Sequence, residues 1–505
     1  MFKEIVVQVA PEETTVAVLE EQKLMEIYLE RFESQRLVGN IYQGRVVNVL
    51  PGMQAAFVDI GLDKNAFLYV EDAYPDKEMS GEEGHSNKTP KIEDLLKEGQ
   101  VLMVQVTKEP LGTKGARVTA NITLPGRFLV LMPTLNYIGI SRRIEAEPER
   151  VRLRQIVEEL STNGMGVIVR TAAIGAEPCE LAEDFCHLAK TWKLIQSKKG
   201  IAPPAIIHQD LGLLERILRD VLAEDVNKLV INSKEEYFKI MEFAKLVAPY
   251  LQGKVVLKDA ANLLGEYNIP VQIEQALKRK VWLECGGYLV IDEVEALTVI
   301  DVNTGKYIGS KNLAETVLKT NVDAAIEIAR QLRLRNIGGI IIIDFIDMEE
   351  IIHQQKVLDT LEQELKKDKT KTNVLGITQL GLVQLTRKKV SRDLGSILQK
   401  DCPYCQGTGS VLSEEAVSLK AKQEIIKVAA CATAPIILVE AHPAVAALLI
   451  GSKGRFLRQL EKETGKKIVI RGITLLHVEE VKVSKVHQED QLKEYFCPPY
   501  RQRYQ

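Results

Sequence analysis

The chain has 505 residues, 46% hydrophobic and 27% charged, enough apolar surface for several cores and, at the usual domain size, for about three or four domains. Its longest apolar runs, such as Ile340–Ile343 and Ala444–Ile450, fall well short of the roughly 20 residues of a bilayer-spanning helix. No basic segment with an apolar core opens the chain, and seven cysteines are too few for a disulfide scaffold, so a cytoplasmic, reducing setting is expected.

The net charge of −3 means that a nucleic-acid partner must be met by local basic patches. Arg142-Arg143, Lys278-Arg279-Lys280 and Arg387-Lys388-Lys389 are candidates, although any one of them alone reads better as a solvated helix face.

In chain order, residues 1–35 predict one strand with a helix-like continuation. From Asn40 to about Asn121 short alternating strands punctuated by glycine predict a small β-barrel, interrupted at residues 71–99 by a polar, acidic loop insertion. In AAFVDIG the alternation puts Ala56, Val58 and Ile60 inward and Phe57 with Asp59 outward; Phe67 and Tyr69 repeat the outward placement. Outward aromatics on an OB-type barrel are stacking platforms for single-stranded bases, or else surfaces covered by the insertion or a neighbouring domain.

A mixed α/β segment follows from Leu124 to about Ile207, with a helix over Glu149–Asn163 and a strand over Gly166–Arg170, closed by Pro203-Pro204. Residues 213–280 alternate helix and strand, and residues 281–400 contain a strand-helix-strand unit ending in a basic helix.

Within that unit, YLVIDEVEALTVIDVN (288–303) places Asp301 and Asn303 on one strand face. Asn312–Arg335 predicts an amphipathic helix stopped by Gly338-Gly339, and Ile340–Ile343 a strand buried on both faces that ends at Asp344. The crossover makes the two strands parallel, so Asp301 and Asp344 meet at the sheet edge where open α/β folds bind ligands. Two carboxylates and an amide oxygen suit Mg²⁺ at a scissile phosphate; alternatively each aspartate is only a strand-end acid. Asp347 is either a third ligand or, the better reading, a cap for a helix beginning near Glu349.

Cys402-Pro-Tyr-Cys405 with Gln-Gly-Thr-Gly makes a CxxCxGxG knuckle. Two thiolates leave tetrahedral zinc half-coordinated, and with no second CxxC in the chain a closed site needs the same pair from another subunit. A redox pair or a plain turn is the alternative. In the tail, Gly451-Ser452-Lys453-Gly454 opens a helix ending near Thr464-Gly465, with a strand Lys467–Arg471 behind it. That GxxG is like the backbone clamp of KH domains, or belongs to a purely dimer-supporting domain.

EALTVIDVNTGK, NVDAAIEIARQLRLRNIGGIIIIDFIDM and CPYCQGTG resemble the catalytic core of ribonucleases E and G, with recognisable blocks from Ile41 to about Gly409. The resemblance implies a Mg²⁺-dependent endoribonuclease cutting single-stranded RNA to a 5′-phosphate and a 3′-hydroxyl, acting on ribosomal RNA precursors, messenger RNA or both. It implies that Asp301 and Asp344 hold Mg²⁺ with Asn303 beside them, that Phe57, Phe67 and Lys114 contact RNA, and that Cys402 and Cys405 share structural Zn²⁺ between subunits of a dimer or tetramer. It further implies a 5′-monophosphate pocket at Gly126, Val130, Arg170 and Thr171, where a guanidinium fork grips phosphate, weakened by Gln379 where ribonuclease E has an arginine.

The implied architecture is an RNase H-like fold (1–35 and 213–280) interrupted by an S1-type OB domain (36–121) and a 5′-sensor domain (122–212). A DNase I-like catalytic domain (281–400), a zinc link (401–412) and a small KH-like α/β domain (413–505) follow. The chain ends without the long scaffold arm of ribonuclease E, so it resembles the G type and no scaffold partner is expected. The rival readings are a non-catalytic RNA-binding regulator, against which the intact Asp301, Asn303 and Asp344 argue, and a DNA nuclease.

Overall fold

The computed structural model describes residues 2–31, 36–73, 90–110, 114–160, 164–220, 226–247, 253–305, 313–431 and 433–487, and divides into two compact units, Met1–Leu394 and Gly395–Gln505. Most of the 71–99 insertion lies outside the described residues. No helix among them is long and apolar enough to cross a membrane.

The first unit opens with a correction. Residues beyond the first strand are not helical but form two more strands, Glu13–Glu20 and Lys23–Arg31, joined by a tight turn in which Glu21 and Gln22 both take positive φ, as the hairpin turns that match strand twist require. The two-residue alternation is masked because Val16–Glu20 are buried on both faces. Lys3–Val9 pairs antiparallel with Glu13–Glu20 and parallel with Lys228–Ile231, so the chain's start and the segment after residue 213 share one five-stranded sheet and one core of Ile5, Val7, Val18, Leu229 and Ile231.

Between them sit two further bodies. Ile41–Leu50, Ala55–Asp59, Ala66–Tyr69, Arg117–Thr119 and Val101–Lys108 form a barrel, closed because Ile41–Leu50 also pairs with Val101–Lys108. Closure removes the exposed strand edge that would otherwise invite pairing with another chain. Ala205–His208, expected to belong to the next segment, adds to Ile41–Gln43. Residues 124–169 form a four-stranded sheet covered by the helices Glu147–Glu159 and Pro178–Ser197.

The largest apolar cluster lies under a six-stranded sheet, in the order 280–282, 288–293, 297–303, 339–344, 383–387, 372–377. Helix Leu313–Leu334 crosses from Leu297–Asn303 to Gly339–Asp344, and these two strands pair in parallel. The expected basic helix is instead the strand Val383–Arg387. Its terminal Arg387 is buried, pairing with Asp368 at 2.7 Å and donating to the Ile337 carbonyl at 2.8 Å. A cation spent on an internal acid is unavailable to RNA.

The second unit sets strand Ile436–Ala441 between Lys467–Gly472, parallel to it, and Val481–Val486, antiparallel. Helix Glu414–Cys431 packs on this sheet through Val417, Ala421 and Ile425.

Helix Leu313–Leu334 also ties this six-stranded sheet to the N-terminal one. Arg333 reaches Glu26 at 2.8 Å and Glu20 at 3.2 Å, all three nearly enclosed. Burial pushes the Glu26 carboxyl up, but Arg333 and the Tyr28 hydroxyl more than offset it and hold it below its ordinary value. That stabilisation is therefore present above the ordinary carboxylate range and is lost as pH falls through the depressed pKa. Arg333→Met strands Glu26 without its cation, at an expected cost of about 3–5 kcal/mol. Urea denaturation should show the deficit largest at neutral pH and shrinking on acidification, as protonation removes the unpaired charge.

Candidate active site and its flanking surfaces

Asp301 and Asp344 stand directly opposite one another in the parallel ladder. Their face follows from the pleat. Thr298, Ile300 and Val302 are buried in the core while Val299 and Asp301 are exposed, and Ile341 and Ile343 are buried while Asp344 is exposed. Neighbouring strands lie about 4.8 Å apart, so the two carboxylates share one edge of one face. Asn303, two residues on, donates from Nδ2 to Asp301 Oδ2 at 2.8 Å, orienting that carboxylate.

Partial burial raises the Asp344 carboxyl above its ordinary value, with Asp301 and Asp347 adding like-charge repulsion. Asp347 is thus close enough to be felt at the site. It does not start the following helix as expected: that helix begins at Ile351, after Glu350. The loop carrying Asp347 is held by Asn321, a fully buried residue of the long helix, which donates to the Ile346 carbonyl at 2.8 Å and accepts from the Ile346 amide at 3.1 Å. The sequence reading passed over Asn321; the available signal was a lone amide inside the helix's apolar stripe, which needs partners when buried. Among the described residues no group of three or more His, Cys, Asp or Glu side chains is placed to hold a metal ion. The donor set is two hard carboxylates and an amide, which matches the sparse protein ligation of Mg²⁺.

On the barrel, Phe57 and Phe67 are cross-strand partners with ring centroids 5.9 Å apart at 72°. Both are half-buried, between inward Ala56, Val58, Ala66 and Leu68. Tyr69 lies beneath the Arg117 guanidinium, 6.0 Å from it, and Arg117 pairs with Asp72. Lys114 is exposed at the entry to the Arg117–Thr119 strand.

The four residues expected to cradle a 5′-phosphate come together, but with occupied donors. Arg170, just past strand Gly166–Val169, bonds the Gly126 carbonyl and pairs with Asp220 at 2.7 Å. Burial raises the Asp220 carboxyl, while Arg219 and Arg170 bring it below its ordinary value. The amides of Arg127, Phe128 and Leu129 all donate to Asp184, and a side chain at Gly126 would run into that carboxylate. Val130 lies in the strand between Pro125 and Ile168, and Thr171 opens a single 3₁₀ turn. Gln379 sits in the hairpin between Thr372–Ile377 and Val383–Arg387.

In the second unit, Cys402 is exposed and Cys405 half-buried. The Gln406 amide donates to the Cys402 carbonyl at 2.7 Å and the Thr408 amide to that of Cys405 at 3.0 Å, so the knuckle is two successive tight turns. Amides of Cys405 and Tyr404 lower the Cys402 thiol below its ordinary value. Gly451–Gly454 joins the helices Pro443–Ile450 and Arg455–Thr464, with Gly451, Lys453 and Gly454 all at positive φ.

Residues 123–390 match the pattern of the Ribonuclease E/G family, and residues 401–486 that of its "RNase E/G, Thioredoxin-like domain"; the second match is described in other terms than the KH-like likeness expected for the tail. Ribonuclease G of Escherichia coli strain K12 is 44% identical over 474 residues, 93% of this chain and 97% of that protein. Ribonuclease G of Haemophilus influenzae is 43% identical over 472 residues, 93% and 96% of the two chains, and Ribonuclease E of a Nostoc strain is 40% identical over 415 residues, 81% of this chain and 59% of that one. With an identity of this extent and with the family's pattern spanning the paired-aspartate sheet, the chain belongs to the ribonuclease E/G family.

Proposed function

We propose that this protein is an endoribonuclease that cuts single-stranded RNA by hydrolysis, leaving a 5′-phosphate and a 3′-hydroxyl, at the edge formed by Asp301, Asn303 and Asp344. The observation that carries the reading is the in-register pairing of Asp301 with Asp344, with Asn303 bonded to Asp301, in a chain so similar to proteins named Ribonuclease G. Two carboxylates on one exposed edge repel each other and attract a cation, and Asp301, Asp344 and the Asn303 amide are the groups to hold Mg²⁺. An ion held by these groups would supply Lewis-acid polarisation of a phosphodiester and activation of a water for its hydrolysis. The chain's own part is orientation: Asn303 sets the Asp301 carboxylate, and Asn321 sets the loop bearing Asp347. Single-stranded RNA beside the cleavage site is taken by the barrel, where the Phe57 and Phe67 rings offer faces to unpaired bases and Lys114 offers a charge. The RNase H-like description of the five-stranded sheet and the DNase I-like description of the sheet that carries Asp301 and Asp344 belong to this reading.

Asp301→Asn and Asp344→Asn change charge with little change of shape. Each is expected to abolish Mg²⁺-dependent cleavage of a single-stranded oligonucleotide while leaving its binding nearly intact. Substantial turnover by the double variant would overturn the assignment.

The 5′ end is read, in this proposal, by Arg170, which already grips a carboxylate, Asp220. A monophosphate competes for that guanidinium. With Asp220 as competitor and Gln379 in place of an arginine, the preference for 5′-monophosphorylated over 5′-hydroxylated RNA is expected to be modest and to vanish in Arg170→Gln. Cleavage rates of two RNAs differing only at that end decide it, and equal rates with the unmutated protein would remove the sensor.

The cysteine knuckle is proposed to hold Zn²⁺ jointly with its copy in a second subunit, since one CxxC, with Cys402 exposed and Cys405 half-buried, supplies half of a tetrahedral set. Cys402→Ser with Cys405→Ser should lower both zinc content and the mass seen by light scattering. An unchanged mass at micromolar concentration would show that the cysteines do not link subunits.

A further inference from the structure

The catalytic face carries a second cluster. Strand registers align Lys280, Val290, Asp301 and Asp344 in one row across four strands, and Trp282, Tyr288 and Asn303 in the next. Directly opposed residues point to the same face, so Trp282, Tyr288 and Lys280 share the exposed face of the aspartates, one and two strands from Asp301, or about 5 and 10 Å, and one strand further from Asp344. Trp282 is 57% exposed on the edge strand, an unusual place to leave an indole in water. Its ring meets Tyr288 edge-on, with centroids 5.4 Å apart. Lys280 Nζ lies between the two rings, 3.4 Å from the Tyr288 centroid and 4.3 Å from that of Trp282.

Its charged neighbours are committed elsewhere. Arg279 pairs with Asp292, Lys278 with Glu274 and Glu284 with Lys23, whereas Lys280 has no carboxylate partner among the described residues. The cluster is continuous with the active edge. A side chain at Gly305, two residues past Asn303, would come 3.2 Å from the Tyr288 ring, so the chain leaving Asn303 runs over that ring.

Resting on the endoribonuclease reading, we propose that Trp282, Tyr288 and Lys280 form a nucleotide subsite beside the scissile phosphate. The base of a neighbouring RNA nucleotide stacks on the open face of Trp282, and Lys280, propped between the rings, meets a backbone phosphate. The parts suit the ligand: an aromatic face for a π-face of any sequence, a lone cation for an anionic backbone, and a spacing from the aspartates that adjoining nucleotides of one strand can bridge. Trp282 is therefore a positioning residue that fixes which phosphodiester lies over Asp301 and Asp344.

The test uses the chain's two tryptophans. In full-length protein carrying Asp344→Asn, to silence cleavage, and Trp192→Phe, Trp282 is the sole tryptophan. Titration with a single-stranded oligoribonucleotide should quench its emission in step with binding followed independently by fluorescence anisotropy of labelled RNA. In the active protein, Trp282→Ala should raise KM about five- to 100-fold with kcat within about twofold. Trp282→Phe should recover most of the loss, which also controls for folding, and Lys280→Met should reduce the dependence of binding on salt. Saturating RNA that leaves Trp282 emission unchanged, or Trp282→Ala with unaltered KM, overturns the subsite. If the unmutated protein fails to cut RNA while quenching persists, the endoribonuclease reading falls and the binding surface stands.

Discussion

The meeting of Asp301 and Asp344 depends on the parallel pairing of Leu297–Asn303 with Gly339–Asp344. Antiparallel strands would put Asp301 and Asp344 at opposite ends of the sheet. Parallel strands need a long crossover, and the 22-residue helix Leu313–Leu334 supplies it, packing Ala324, Ala325, Ile328 and Leu332 onto the sheet core. The carboxylates are brought together by a backbone constraint and held there against their own repulsion.

The same helix performs two further tasks with polar groups that a plain core helix would not carry. Asn321 satisfies both backbone groups of Ile346, holding the loop that follows Asp344. Arg333 faces the other way, into Glu20 and Glu26 of the N-terminal sheet. Burying three charged groups is favourable only when each is paired, so the contact specifies one docking of the two sheets.

The corner formed by Gly126 and Arg170 shows donors satisfied internally. Asp184 ties down the Arg127–Leu129 amides and Asp220 engages Arg170, so the cradle is preorganised by protein carboxylates. Under the proposed reading, an incoming phosphate has to compete with Asp220 for Arg170.

From the sequence alone, strand and helix periodicity located Asp301, Asn303 and Asp344, the crossover, the inward and outward faces of AAFVDIG, and the barrel, because these are local patterns with a two- or 3.6-residue repeat. Periodicity failed where burial on both faces hides it, as in Val16–Glu20, and composition misled at Arg387, whose charge is consumed by Asp368. Asp347 was read as a cap because capping is local and its real neighbour, Asp344, is felt through space. That residues 1–31 and 226–257 share a sheet was expected through the family resemblance and not from any local pattern; only the tertiary structure decided that Arg170 already has an acid partner, and that Lys280 and Trp282 stand in register with the aspartates. Each of those depends on which distant strands pair, and cross-strand register is set by the packing of the whole chain.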